Sequence, residues 1–495
     1  MEILYKSTRG NGQCVTASEA ILKGLADDGG LYVPTQIPEL DISPEELSGM
    51  DYKGVAFEVM SRFLSDFTDE ELKSCIENAY DKKFDTEQIA PLEYKDGICF
   101  MELFHGATIA FKDMALSILP HLMTTAAGKN NIKNDIVILT ATSGDTGKAA
   151  LAGFSDVPHT KIIVFYPKGG VSRIQELQMV TQKGDNTFVC AVKGNFDDCQ
   201  SAVKKMFNDA ELKKELEKGN YQFSSANSIN IGRLIPQVAY YVWAYSRLIA
   251  DGRIKAGQKI NFVVPTGNFG NILAGYYAKL MGLPVNKLIC ASNENKVLYD
   301  FFKSGVYNRN REFILTSSPS MDILISSNLE RLIYKAVGES EEENRRLMKD
   351  LSEKGVYELP EAAKAELSDF VGAFAGEEEN FRNIKELYEK EGYVIDTHTG
   401  VAYSAYKKYL NETGDDHVCV IVSTASPYKF TRAVMGAIDK KYDLEDDFEL
   451  VRKLNEISKR PVPQAIKDIM DADIRHTAVC AADELSGSVK KFLAL

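Results

Sequence analysis

Residues 136–150 read IVILTATSGDTGKAA. A run of β-branched and apolar side chains gives way to a loop of small polar residues, which leads into good helix formers. Two further stretches repeat this order: NFVVP followed by TGNFGNILAG over residues 261–275, and VCVIV followed by STASPYKFTRAV over 418–434. Strand, small polar loop and helix make a βα unit, and strands this continuously apolar belong to parallel sheets covered by helices. The stretches 162–166 and 187–192 extend the first series, and 288–291 the second. The fold class expected is α/β, with two parallel-sheet lobes and a ligand cleft between them at the carboxyl ends of the strands.

Working outward, the chain divides into four parts. Residues 1–97 form an N-terminal region with helical periodicity from Tyr52 to Tyr80. Residues 98–220 make a smaller α/β lobe carrying the SGDTG loop. Residues 221–325 and 393–495 make a larger lobe carrying the GNFGN and STASP loops. Residues 326–392 read as a charged helical insert, with ESEEENRR and GEEENFRN as solvated faces.

The 495 residues, 44% of them hydrophobic, supply ample core, while a formal charge of −13 argues against nucleic acid or an anionic membrane as partner. Eight cysteines are scattered without a CxxC pair, and six histidines include no HExxH, so reduced thiols and no metal are expected. The opening MEILYKSTRGNGQC lacks an apolar signal core, and no run approaches a membrane span. The expectation is a cytoplasmic monomer or homodimer.

Chemistry concentrates in the loops. LFHGATIAFKDM, Leu103 to Met114, sets Lys112 between a hydrophobic stretch and a helix start. TGNFGN, Thr266 to Asn271, lets Gly267 and Gly270 turn the backbone so that N–H groups and a helix dipole face an anion; an ordinary βα turn would look the same. Thr140–Ala150 fails as a P-loop, because Thr142 and Ala149 stand where Gly and Ser or Thr are needed. Its Ser143, Asp145 and Thr146 could bind a substrate carboxylate or cap a helix. SSANSINIGRLIPQ, Ser224 to Gln237, gathers Asn227, Ser228, Asn230 and Arg233 within about two helical turns, and arginine offers a fork for carboxylate or phosphate. In STASPYKF a hydroxyl could face a neutral ring nitrogen or serve as an N-cap. An imine-forming lysine, a phosphate loop and hydroxyl-rich turns are together the parts of a pyridoxal 5'-phosphate site.

These segments, with GLADDGGLYVP, YPKGGVSRIQ and VKGNFDDCQ, resemble the threonine synthase family of β-class, fold type II pyridoxal-phosphate enzymes over most of the chain. FHGATIAFKD, SGDTG and GNFDDCQ are specific to that family, whereas Ser426 and Tyr428 stand where it usually has His and Ala. The resemblance implies that Lys112 joins the cofactor and acts as general base, that Gly267, Asn268, Phe269, Gly270 and Asn271 wrap its phosphate, and that Thr424 meets its ring nitrogen. It also implies that Ser143, Asp145 and Thr146 hold the substrate's α-carboxylate side, and that Asn227, Ser228 and Arg233 take its phosphate. The substrate implied is O-phospho-L-homoserine, converted with water to L-threonine and phosphate. A serine or threonine dehydratase and an inactive phospho-ligand-binding homologue are the alternatives; a dehydratase has no need of an anion clamp, and binding alone has no need of Lys112.

Overall fold

The computed structural model describes residues 2–10, 13–142, 144–444 and 446–495. Its larger sheet has six strands in the order Phe370–Phe374, Val285–Ser292, Ile260–Pro265, Cys419–Ser423, Ile98–Glu102 and Leu92–Lys95, parallel except for the last pair. One row across five strands runs Phe100, Ile421, Val263, Ile289, Val371, and the first four of these are fully buried. Alternate residues such as Phe262, Val264, Val420 and Val422 face a different apolar cluster on the other side. Both faces being covered is why these strands read as unbroken apolar runs rather than as alternation. Each such side chain withdrawn from water contributes about 1.5–3 kcal/mol.

The smaller sheet is fully parallel, in the order Ala478–Ala481, Thr187–Lys193, Thr160–Pro167, Asp135–Ala141 and Tyr221–Ser224. Its Ile138, Ile162 and Val164 share one cluster with Phe262, Val264 and Val420 of the larger sheet, while Val137, Ile163 and Phe165 face away into a separate one. The two sheets therefore close on a common apolar centre. The 20-residue helix Ile231–Ala250, buried almost throughout, belongs to that centre.

Sheet membership cuts across the four-part division, and Leu92–Lys95 of the N-terminal region is already part of the larger sheet. Ile98–Glu102, expected in the smaller lobe, pairs with Cys419–Ser423 in the larger sheet, where Ile98 and Phe100 join the apolar cluster on one face and Cys99 and Met101 the cluster on the other. Tyr221–Ser224 and Ala478–Ala481, expected in the larger lobe, form the two edges of the smaller sheet. Phe370–Phe374 lies within the expected helical insert yet pairs with Val285–Ser292, where Phe370 is buried against Phe269, Tyr276 and Phe302.

The N-terminal region follows local rules. Thr16 with Glu19, Ser43 with Glu46 and Thr68 with Glu71 form capping boxes. The helix Tyr52–Phe63 buries Tyr52, Val55, Ala56, Val59, Met60 and Phe63 on one stripe, and Tyr52 meets Trp243 edge-on at 5.7 Å. Among the described residues no helix is long and apolar enough to cross a membrane.

Candidate active site

Lys112 is placed by a backbone handshake. Leu103 N–H donates to Ser423 O at 3.0 Å, Phe111 N–H to Thr424 O at 2.8 Å, and Ser426 N–H to Ile109 O at 3.0 Å. The segment after Ile98–Glu102 thus runs beside the loop after Cys419–Ser423, and Lys112 emerges next to Thr424 at the carboxyl ends of both strands. Lys112 is 8% exposed; its Nζ donates to Ser320 Oγ at 3.2 Å and lies 3.5 Å from Asp145 Oδ2. Burial pushes the amine below its usual basicity; Asp145 opposes that, and the charges of Lys429 and Arg233 reinforce it.

Asp145 opens the helix Asp145–Phe154. Gln175 Nε2 donates to its Oδ1 at 2.9 Å, Ser320 Oγ to its Oδ2 at 2.9 Å, and Lys429 Nζ stands 3.4 Å away. Burial alone would raise its pKa, yet Lys429 and Lys112 win and hold it well below the usual carboxylate range. Gln175 serves twice, since its Oε1 also accepts from Ser172 N–H in the capping box of the helix Arg173–Val180. Gly144 (φ 136°) leaves it room: a Cβ there would meet the Gln175 amide at 2.5 Å. Lys429, 1% exposed, also donates to Thr108 O at 3.0 Å and Gln178 Oε1 at 3.2 Å. Thr146 lines the same cavity, and Ser143 lies outside the described residues.

The loop at the end of Ile260–Pro265 is held by neutral bonds. Ser326 Oγ donates to Gly267 O at 2.6 Å; Asn328 N–H and Nδ2 both donate to Asn268 O, at 3.0 and 2.9 Å. Phe269 takes a left-handed φ of 65° as N-cap of the helix Gly270–Leu280, turning that helix's first amides toward the cavity. Asn271 Oδ1 accepts from Tyr240 and Tyr241 hydroxyls at 2.6 and 2.7 Å, while its buried Nδ2 has no partner. A glycine-lined helix N-terminus with an unsatisfied buried amide donor fits a phosphate group.

Across the cavity, the turn after Tyr221–Ser224 delivers Asn227, Ser228 and Arg233. Arg233 is 3% exposed, donates from Nη1 to Ala226 O at 3.1 Å, and leaves its Nε unpartnered. No carboxylate among the described residues lies within 4.0 Å of it, and burial lowers its pKa to about 10. Ser228 Oγ accepts from Asn328 Nδ2 at 3.5 Å, and Asn227 is exposed at the mouth.

One cavity of about 370 Å³ is lined by Lys112, Asp145, Thr146, Asn227, Ser228, Arg233, Gly267 to Asn271 and Thr424. The structure thus brings together every site residue expected from the sequence that lies among the described residues. Ser426 caps the 3₁₀ turn Pro427–Phe430, and the Tyr428 hydroxyl donates to Arg460 O at 2.6 Å. Sequence reasoning missed Ser320, His398, Lys429 and Gln175. Only Gln175 carried a local signal, the S-x-x-Q capping box; the others reach the site by tertiary approach.

A buried lysine of lowered basicity, a glycine-turned helix N-terminus and hydroxyl-bearing strand ends, set between two parallel sheets, define a pyridoxal-phosphate enzyme of fold type II. A "Pyridoxal-phosphate dependent enzyme" family model matches residues 87–424, flanked by "Threonine synthase N terminus" over 4–80 and "Threonine synthase, C-terminal" over 399–492. The chain is 37% identical to a threonine synthase of Schizosaccharomyces pombe, across 89% of this chain and 90% of that one. It is 40% identical to human "Threonine synthase-like 1" across 86% of this chain but 58% of that protein. A crystal structure of pyridoxal-phosphate-bound threonine synthase from Brucella melitensis superposes with a TM-score of 0.87 at 34% identity, covering 100% of both chains. The yeast threonine synthase structure gives 0.88 at 32% identity over 99% of each. The chain belongs to the threonine synthase family, and its cofactor is pyridoxal 5'-phosphate.

Proposed function

We propose that the chain converts O-phospho-L-homoserine and water into L-threonine and inorganic phosphate, with Lys112 as both the cofactor-bearing residue and the general base. The observation that carries this reading is Arg233, a buried cation with no carboxylate partner among the described residues, lining the cavity that holds Lys112. Desolvating a guanidinium is costly unless an anion completes it, and a substrate phosphate does so.

Gly267 to Asn271 would hold the cofactor's phosphate through backbone amides, the helix dipole and Asn271 Nδ2, and the Thr424 hydroxyl would face its ring nitrogen. When bound, pyridoxal phosphate supplies an electron sink for negative charge developing at the substrate's α- and β-carbons. The freed amine of Lys112, weakened as a base by burial, takes and returns protons at those carbons. Asn227, Ser228 and Arg233 grip the departing phosphate at the γ-carbon, and water adds at the β-carbon. The Asp145 carboxylate would repel the substrate's own, so it is assigned to holding Lys112 and Lys429, and the α-carboxylate goes to the Thr146 hydroxyl and the adjoining amides, with Ser143 as a further donor.

A serine or threonine dehydratase is the competing reading. Phosphate release and threonine formation from O-phosphohomoserine, with and without added pyridoxal phosphate, tests it directly. Arg233→Ala is expected to lower kcat/KM for that substrate by the equivalent of about 2–5 kcal/mol, leaving any slow deamination of L-threonine unchanged. Rapid deamination of unphosphorylated amino acids by wild type, indifferent to Arg233, would sink the proposal.

A further inference from the structure

The turn Ser317 to Ser320 belongs to none of the motifs above, yet four parts of the site converge on it. Ser320 Oγ accepts from Lys112 Nζ at 3.2 Å and donates to Asp145 Oδ2 at 2.9 Å. Its N–H donates to His398 Nε2 at 3.2 Å, and its carbonyl oxygen stands 2.4 Å from where a Cβ on Gly267 would be.

The direction of these bonds is dictated by chemistry. An ionised Asp145 can only accept, so the single hydroxyl proton of Ser320 goes to it and a lone pair is left facing Lys112. Asp396 Oδ2 accepts from His398 Nδ1 at 2.7 Å, which keeps the ring proton there and leaves Nε2 as acceptor for Ser320 N–H. At the other end of the turn, Thr397 Oγ1 donates to Ser317 O at 2.7 Å. The start of the helix Thr397–Thr413 therefore grips the turn at both ends, and the turn presents one hydroxyl to one amine.

A lysine serving as base at more than one carbon swings on a flexible four-carbon stem and needs a fixed point to return to. We infer that Ser320 is a further catalytic residue, the acceptor that fixes the freed amine of Lys112 at the cavity wall between proton transfers, with His398 and Asp396 as its positioning residues. This rests on the role of Lys112 proposed above. The charged groups facing that amine are Asp145, Lys429 and Arg233. Among them Ser320 adds an acceptor that favours the protonated amine, so its loss makes Lys112 a still weaker base.

The test compares wild type, Ser320→Ala and Ser320→Thr. One readout is the pH profile of kcat in the holoenzyme. The other is the pH dependence of Lys112 acylation by an amine-reactive anhydride in the cofactor-stripped full chain, read by mass spectrometry. Ser320→Ala is expected to lose about 10–100-fold in kcat and to move both the acid limb and the Lys112 acylation midpoint down by about one pH unit. Ser320→Thr restores both, and His398→Phe moves both in the direction of Ser320→Ala. An unchanged or upward-shifted midpoint in Ser320→Ala overturns the inference. If wild type forms no threonine while acylation still shifts, the proposed reaction fails and the assignment of Ser320 to the Lys112 amine stands.

Discussion

The two loops that flank Lys112 are built from different forces. The Gly267–Asn271 loop is fixed by neutral hydrogen bonds from Ser326, Asn328, Tyr240 and Tyr241. The loop that opens at Asp145 is fixed by charge, one carboxylate shared between Lys112 and Lys429 with Gln175 and Ser320 completing it. In the proposed reading, neutral amides would hold the cofactor's phosphate without themselves titrating. A charge cluster would instead set the basicity of Lys112, the residue proposed to carry protons. The division places rigidity where binding is needed and tunability where a proton moves.

Breaking the charged side should have the largest effect. Lys429→Met leaves Asp145 buried with one cation, and removing a partner of a buried pair costs about 3–5 kcal/mol. The sign follows from the depressed folded pKa of Asp145: its stabilisation is present above the ordinary carboxylate range and is lost progressively as pH falls through that range toward the folded value. Without Lys429 that pKa rises, so urea unfolding should show the variant's deficit against wild type largest near about pH 7 and narrower near about pH 4. A deficit equal at both pH values would contradict the charge-held picture.

On the neutral side, Gly267→Ala drives a methyl against the Ser320 carbonyl oxygen, 2.4 Å from the ideal Cβ. Backbone must shift, and displacement by about 1 Å costs on the order of 100-fold. Titration of the visible band should show pyridoxal phosphate bound about 100-fold more weakly, by a factor independent of pH from 6 to 9. A strongly pH-dependent loss would erase the distinction between the loops.

The smallest effect lies at the strand end that feeds Lys112. Burial would lower the pKa of His105, but Asp85 and Glu102, at 2.5 and 2.9 Å, push it up to about 9. A raised histidine stabilises fully below its ordinary 6.5, and that contribution fades as pH climbs through 9. His105→Asn should therefore cost about 1–3 kcal/mol near pH 6 and little above pH 10, measured by denaturant unfolding. A gap that widens with pH would remove His105 from the ionic cluster.

Much of this was legible in the sequence, for a definite reason. Strands covered on both faces are written as unbroken apolar runs, and the loops that follow them carry the Gly, Ser, Thr and Asn that turns and caps require. Partnership was less legible. Ile98–Glu102 precedes the smaller sheet in the chain but bonds to a strand more than 300 residues away, as with Tyr393 on Glu102, where the separation is 291 residues. Phe370–Phe374 was masked by the glutamate-rich helices on either side. Ser320 and His398 have no local signature at all, since their meaning lies in an approach that only the packed helix start at Thr397 creates.

The strand Ala478–Ala481 makes the outer rung of the smaller sheet beside Thr187–Lys193, and its Cys480 sits against Cys190 from 290 residues earlier. A ribosome therefore exports most of both sheets before this rung exists, and the edge of Thr187–Lys193 waits unpaired throughout that interval. Completion of the smaller sheet is deferred until after every strand of the larger one has been made, which makes the smaller lobe the natural client of any chaperone that shields open sheet edges during translation.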